Sequence, residues 1–158
     1  MLIFSVAFAQ TPAAPAPVAA PPPDPAALYA TECGACHLAY PARFLPLRSW
    51  NALMGGLSSH FGEDASLSAE VRGVLLTWLA SDAADLHRVR IPADQTPLRI
   101  TELSWFRGEH REAPAKVIRE VGSLARCDAC HTGARQGRYG ESELVLPGMG
   151  RWEEEDDD

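Results

Sequence analysis

Two pairs of cysteines, each followed at once by a histidine, are the residues of this chain with the most evident chemistry. The pattern Cys-x-x-Cys-His occurs at Cys33 to His37 and again at Cys127 to His131, and it uses all 4 cysteines of the 158-residue chain. Two cysteines three positions apart lie on one face of a helical turn, where both thiols can bond to the vinyl groups of one haem. The histidine that follows then lies under the iron. The spacing predicts two covalently bound haem c groups, attached through Cys33, Cys36, Cys127 and Cys130, with His37 and His131 as iron ligands.

Two Cys-x-x-Cys pairs are also typical of a zinc site with four thiolates, and cysteines can form disulfides. A zinc ribbon does not require a histidine directly after both pairs. A zinc site would be a serious alternative in a cytosolic protein, but the N-terminus indicates a compartment outside the cytosol. We therefore prefer haem, and a zinc-stapled binding module remains the alternative.

The N-terminal residues predict export. Residues 1–9 are a short apolar run that ends in Ala7-Phe8-Ala9, the small-x-small form of a signal-peptide cleavage site, although a basic n-region is missing. Residues 10–26 are nearly all Ala and Pro and predict an extended linker. No stretch reaches the roughly 20 apolar residues of a membrane-spanning helix. We expect a periplasmic protein with a cleaved signal peptide and no membrane span in the mature chain.

Each haem iron has a second axial position, and two further histidines can fill these positions. His60 ends an apolar stripe on a helix predicted over residues 47–61, and His110 follows Leu103 and Phe106 at helical intervals on a helix predicted from about Glu102. A neutral imidazole on a buried helix face is a suitable iron ligand. The order along the chain leaves open a crossed arrangement, in which His60 serves the second haem and His110 the first.

Other possible ligands are less well placed. His87 lies in a polar segment from Asp82 to Arg90 without an apolar stripe, so we predict an exposed side chain that binds no metal. Met54 and Met149 are the alternatives should one axial histidine be replaced by a thioether. Arg43, Arg48 and Arg99 are hypothetical partners for the haem propionates.

The elements that must position these residues are predicted to be helices. Asp24 and Pro25 form a helix start for the element that carries the first motif, and Ser123 is a candidate cap for a helix that carries the second. Ser68 caps a further helix whose apolar face comprises Val71, Val74, Leu75, Trp78 and Leu79. The prediction is a mainly α fold, a small helical protein of two haem-bearing halves with irregular loops. The halves are residues 27–90 and 91–152, divided near the turn-rich connection from Pro92 to Pro97.

The charge of the chain is concentrated at its C-terminus. The formal net charge is -7, and residues 153–158 are six consecutive acids, so the remainder carries -7 + 6 = -1. Such a tail is typical of a solubilising end, or it steers the protein toward a basic partner at low salt. We expect no nucleic-acid partner.

Between about Tyr29 and Pro147 the chain resembles the dihaem cytochrome c family of exported bacterial electron carriers. The matching segments are ECGACHLAYP at Glu32–Pro41, Leu45-Pro46, Arg48-Ser49-Trp50, His60-Phe61-Gly62, PLRIT at Pro97–Thr101, Trp105-Phe106, His110 and Cys127–Thr132. The resemblance implies two c-type haems with two histidine ligands each, which makes His37 and His131 proximal and His60 and His110 distal. It also implies exchange of electrons with a membrane cytochrome b and with a small oxygen-binding haem protein.

These expectations favour outer-sphere electron transfer rather than catalysis. An iron with two axial histidines is six-coordinate and leaves no site for a substrate. Imidazole stabilises ferric iron more than a methionine thioether does, so both potentials should be low compared with a His/Met cytochrome c. The alternative within haem chemistry is a small haem enzyme or a gas-binding protein with one open iron face.

Overall fold

Residues 24–84 and 91–152 are described by the computed structural model, and in this part of the chain five α-helices are joined by short 3-10 turns. The helices are α1 (Pro25–Glu32), α2 (Leu47–Gly55), α3 (Ala69–Ser81), α4 (Ser104–Glu109) and α5 (Ala115–Val121). Strands β1 (Val145–Leu146) and β2 (Gly150–Arg151) pair antiparallel, with Val145 opposite Arg151. The predicted mainly α fold is confirmed. The predicted export signal, residues 10–23 of the linker, His87 and the acidic tail lie outside the described residues.

The start of α1 is the one that its sequence predicts, but its end is not. The Asp24 side chain accepts a hydrogen bond from the backbone N–H of Ala27 (3.3 Å), and Pro25 occupies the first helical position. We had predicted that the first Cys-x-x-Cys-His motif lies on this helix. The helix ends at Glu32 instead, and the motif lies in the turns that follow it. Gly34 permits this exit, because a Cβ at this position would collide with the carbonyl oxygen of Ala30.

The predicted helix over residues 47–61 is too long. Helix α2 ends at Gly55, a 3-10 turn covers Leu57–Ser59, and His60 follows that turn. The consecutive glycines Gly55 and Gly56 explain the early end, because glycine is the poorest helix former after proline. Trp50 and Met54, which belong to the apolar stripe of the predicted helix, are buried.

Helix α3 is capped by Ser68, whose Oγ accepts a hydrogen bond from the N–H of Val71 (3.2 Å), as predicted. Leu75 and Leu79 are fully buried beneath it. Val74 was predicted to belong to the same apolar face, but 42% of its surface is exposed, because it lies on the outer side of the helix.

One large hydrophobic core lies where α1 and α2 pack against α3. Its buried members include Tyr29, Leu45 and Trp50, and they also include Ile91 and Phe106 from beyond the predicted division of the chain. The two predicted halves therefore share this core. No helix in residues 24–84 or 91–152 has both the length and the apolar character needed to cross a membrane.

The C-terminal part is built from shorter pieces. Helix α5 was not predicted; it ends where Gly122 adopts the left-handed conformation (φ 82°). We had predicted that Ser123 caps a helix that carries the second motif, and this prediction is wrong. The Oγ of Ser123 accepts a hydrogen bond from the N–H of Ala125 (3.1 Å), and Cys127–Ala129 forms a 3-10 turn. Two small buried clusters, one around Cys127 and one around Val117, complete this part.

Candidate functional site

The rings of His37 and His60 lie at a separation that suits one metal ion bound between them. Their centres are 6.1 Å apart and their planes differ by 23°. A bond from imidazole to zinc is about 2.0–2.1 Å long and a ring centre lies about 1.2 Å from its nitrogen, so two imidazoles on opposite sides of one metal have centres about 6.4–6.6 Å apart, close to the observed separation. The Nδ1 atom of His37 donates to the Leu38 carbonyl (2.7 Å), which leaves Nε2 free to coordinate. The pair can hold an iron between its rings.

A tight turn presents His60 to His37. His60 and Glu63 exchange two backbone hydrogen bonds (2.8 and 3.1 Å), and Phe61 and Gly62 between them both have positive φ, 53° and 104°. Two central residues with positive φ are typical of a type I′ turn. The Phe61 ring contacts the His60 ring edge to face (4.8 Å), and the Arg99 guanidinium lies 4.1 Å from the centre of the Phe61 ring. The turn and this ring contact hold the imidazole of His60 in place.

The second pair of histidines has the same separation and a different angle. The ring centres of His110 and His131 are also 6.1 Å apart, but their planes differ by 67°. His110 lies at the C-terminal end of α4, where its Nδ1 donates to the Phe106 carbonyl (2.8 Å) and its ring stacks on the Phe106 ring (3.9 Å, 14°). The structure thus brings His60 to His37 and His110 to His131, so the crossed arrangement is not the one observed.

A largely apolar cavity surrounds the second pair. Its walls include both histidines and both cysteines of the second motif, together with Phe44, Phe106, Val117, Leu146 and Trp152. Trp105 also lines this cavity, and its Nε1 is buried without a hydrogen-bond partner in the described part of the chain. A porphyrin needs an apolar wall for its ring and hydrogen-bond donors for its carboxylates. The residues of this cavity therefore fit a haem.

No disulfide joins the four cysteines, and the environments of Cys33 and Cys127 disfavour a zinc site. Burial, aided by the charge of Glu32, raises the pKa of Cys33 to about 11, and burial raises the pKa of Cys127 to about 11. A thiol must be deprotonated to bind zinc, so these shifts oppose metal binding. Moreover, across residues 24–84 and 91–152 no three His, Cys, Asp or Glu side chains gather in a group that could hold a metal ion. The zinc alternative has no support in this geometry.

Burial has a favourable effect on the histidines. It lowers the pKa of His60, with a contribution from nearby His37, and it lowers the pKa of His131, with a contribution from nearby His110. A lowered pKa keeps an imidazole neutral at neutral pH, and neutral imidazole is the form that coordinates a metal.

The three arginines considered as propionate partners all have protein partners. Arg43 donates to the Gly137 carbonyl (2.9 Å), Arg48 to the carbonyls of Pro92 (2.8 Å) and Gln95, and Arg99 is 3.7 Å from a carboxylate oxygen of Glu102. Of the two methionines considered as ligands, Met54 is buried in the large core, and Met149 is 55% exposed in the turn between β1 and β2.

Two tyrosines that we did not single out from the sequence contact the motif histidines. The Tyr40 ring stacks on the His37 ring (5.1 Å, 20°), and the Tyr139 ring lies 5.3 Å from the His131 ring. Tyr40 follows the first motif by three positions, and this closeness in sequence is a signal that could have revealed its contact. Tyr139 lies farther from the second motif along the chain and has no comparable signal.

Comparison with known proteins gives a consistent result. The family model described as dihaem cytochrome c matches residues 29–139. A solved dihaem cytochrome c from Shewanella baltica OS155 is similar to this chain with 36% identity and a TM-score of 0.70, over 82% of this chain and 99% of that one. A dihaem cytochrome c from Rhodobacter sphaeroides shows 45% identity and a TM-score of 0.67, over 72% of this chain and 95% of that one. No protein with a curated description matches.

Proposed function

The chain belongs to the dihaem cytochrome c family, whose members transfer electrons through two haem c groups, and from this premise we propose that each haem is held between two histidines and used for electron transfer alone. Cys33 and Cys36 would attach the first haem and Cys127 and Cys130 the second. The iron ligands would be His37 with His60, and His131 with His110. The observation that carries the proposal is the separation of 6.1 Å between ring centres in both pairs.

The haems supply the electron, and the chain supplies ligands, orientation and a dry environment. His37 with His60, and His131 with His110, would supply two imidazole ligands to each iron, a ligand set that would change little between oxidation states. Carbonyl groups accept hydrogen bonds from Nδ1 of His37 and His110, which raises the basicity of both ligands and stabilises the ferric state. We expect potentials below those of a His/Met cytochrome c for this reason.

We further propose that the protein works in the periplasm, between a membrane cytochrome b and a small oxygen-binding haem protein. The apolar N-terminal run ending in Ala7-Phe8-Ala9 supports export. Family membership supports the existence of redox partners, and the identity of these two rests on the resemblance of the sequence alone.

Spectra of the purified protein test the proposal. A pyridine haemochrome assay should find two haems per chain, and the oxidised and reduced spectra should be those of low-spin iron. Carbon monoxide added to the reduced protein should leave the spectrum unchanged, because neither iron has a free axial position. A shift on addition of carbon monoxide would instead support the alternative function, a haem enzyme or a gas-binding protein.

Cell fractionation tests the location. Antibody against the protein should detect it in the fraction released by osmotic shock, and the mature N-terminus should begin at residue 10. Recovery with the cytoplasmic fraction would contradict the periplasmic part of the proposal and leave the haem assignment untouched.

A further inference from the structure

The segment from Leu38 to Phe44 contacts both candidate haem sites, and we propose that Tyr40 couples them. Its ring is the contact through which the two haems exchange electrons, and its hydroxyl group holds the second attachment motif in position. This inference rests on the proposed function, in which both haems are electron carriers.

The ring of Tyr40 lies between groups that belong to different sites. On one side it stacks on His37, with ring centres 5.1 Å apart and an angle of 20° between the planes. It also packs against the small buried cluster of Leu38, Cys127 and Ala134. Cys127 is an attachment residue of the second haem, so packed atoms connect a ligand of the first iron with the thioether of the second. Electron tunnelling is faster through packed atoms and bonds than across gaps.

The hydroxyl group of Tyr40 joins parts of the chain that are far apart in sequence. It donates a hydrogen bond to the carbonyl of Ala125 (2.9 Å), two residues before Cys127. The backbone carbonyl of Tyr40 accepts a hydrogen bond from the hydroxyl group of Tyr29 (2.7 Å), which is buried in the large core. Tyr40 therefore connects the core and the second motif, and it positions Cys127 relative to His37.

The transfer itself is a simple exchange. One electron leaves the ferrous iron of one haem and enters the ferric iron of the other, and no bond or proton moves. Tyr139 packs against the same small cluster, but it does not play the same part, because its aromatic contacts within the described residues are with His131 and Phe44 and neither is a ligand of the first site.

Two substitutions separate the ring from the hydroxyl group. Tyr40→Leu removes both, whereas Tyr40→Phe keeps the ring and loses only the hydrogen bond to Ala125. The matched control is Trp78→Leu, which removes an aromatic ring that packs on Tyr29 in the large core (4.9 Å) and has no aromatic contact with a candidate ligand among the described residues. Tyr40→Met, with an adaptable side chain, replaces the leucine variant should that variant fail to retain both haems.

The rate of electron exchange between the haems is the quantity to measure. It is obtained from the broadening of haem methyl proton resonances in the half-reduced full-length protein, extrapolated to infinite dilution to remove exchange between molecules. We expect a severalfold slower exchange in Tyr40→Leu and an unchanged rate in Trp78→Leu. In Tyr40→Phe we expect an unchanged rate together with shifted resonances of the second haem.

Two results would overturn the proposal. The first is a wild-type exchange rate in Tyr40→Leu or Tyr40→Met while both haems remain low-spin. The second is a Tyr40→Phe variant that is as slow as Tyr40→Leu, since the ring would then not be the path. Failure of the proposed function is recognised separately, because the wild-type protein itself would then bind carbon monoxide or contain a high-spin haem.

Discussion

Each of the four candidate ligands is oriented by its own local contacts. His37 and His110 donate from Nδ1 to a backbone carbonyl, and His60 is held by a turn and by the ring of Phe61. The Nδ1 atom of His131 is buried and has no partner within the described residues. The ligands therefore differ in basicity although the two ring separations agree.

Removal of a distal histidine should open one iron only. In His60→Ala and in His110→Ala we expect one haem to become high-spin and to bind carbon monoxide when reduced, while the other haem keeps its low-spin spectrum. Absorption spectra with and without carbon monoxide measure this. His87→Ala is the control and should match the wild type. A wild-type spectrum in either of the first two variants would rule out that histidine as a ligand.

The angle between ligand planes should distinguish the haems in electron paramagnetic resonance. Near-parallel imidazoles, as in the pair at 23°, give a rhombic low-spin ferric signal, whereas near-perpendicular ones, as in the pair at 67°, give a signal with a very large maximum g value. We expect one signal of each type, and His110→Ala should remove the second. Two identical rhombic signals would contradict the geometry of the second pair.

Single residues could be predicted from the sequence where their chemistry is local. The attachment cysteines and their histidines form one short pattern. His60 was predicted from a stripe on a helix that in fact ends at Gly55, whereas His110 does lie at the end of its helix. Tyr40 and Trp105 were not predicted to act at the sites, because their roles depend on tertiary contacts. The hydroxyl group of Tyr40 reaches Ala125, which is 85 positions away.

At the scale of elements, helix starts were predicted better than helix ends. Asp24 and Ser68 cap their helices through side-chain oxygens, a signal that lies within one turn of sequence. The end of α2 at Gly55 was missed because the apolar pattern continues through Leu57. Helix α5 was missed because it is short and depends on tertiary packing, in which Val117 and Val121 are buried with Leu146.

The turn that presents His60 depends on glycine at its second central position. At Gly62 (φ 104°) a Cβ would meet no neighbour, so Gly62→Ala should cost only the left-handed backbone penalty, about 1–2 kcal/mol. We expect the free energy of unfolding to fall by this amount and carbon monoxide to displace His60 more readily. Denaturant unfolding and carbon monoxide titration measure the two effects.

Gly73→Ala is the matched control for that substitution. Gly73 lies in the interior of α3 with open space around its Cα, so alanine should stabilise the protein by about 0.5–1 kcal/mol and leave carbon monoxide binding as in the wild type. A Gly62→Ala variant that keeps wild-type stability and resists carbon monoxide would show that the turn does not hold the ligand.

At the scale of the whole molecule, buried hydrophobic residues are unevenly distributed. The large core joins α1, α2 and α3 with Ile100 and Phe106, whereas Cys127 and Val117 each belong to a cluster of three buried residues. The walls of the second cavity around Cys127 and Val117 thus have less packing than the large core, and a bound porphyrin ring would add to it.

Loss of the second haem should therefore unfold only part of the chain. In the double variant Cys127→Ala with Cys130→Ala we expect one haem per chain. The amide protons of α5 should lose their protection from hydrogen exchange, and those of α3 should keep it, because the large core is unchanged. Equal loss of protection in α3 and α5 would show that the two regions fold as one unit.

The large core also has a consequence for biogenesis. It requires both Tyr29 and Phe106, so a polypeptide that emerges with its amino end first cannot complete it until more than two thirds of its length is available. The first thiol pair precedes most of that length, so its residues, Cys33 to His37, are synthesised well before the large core can be complete.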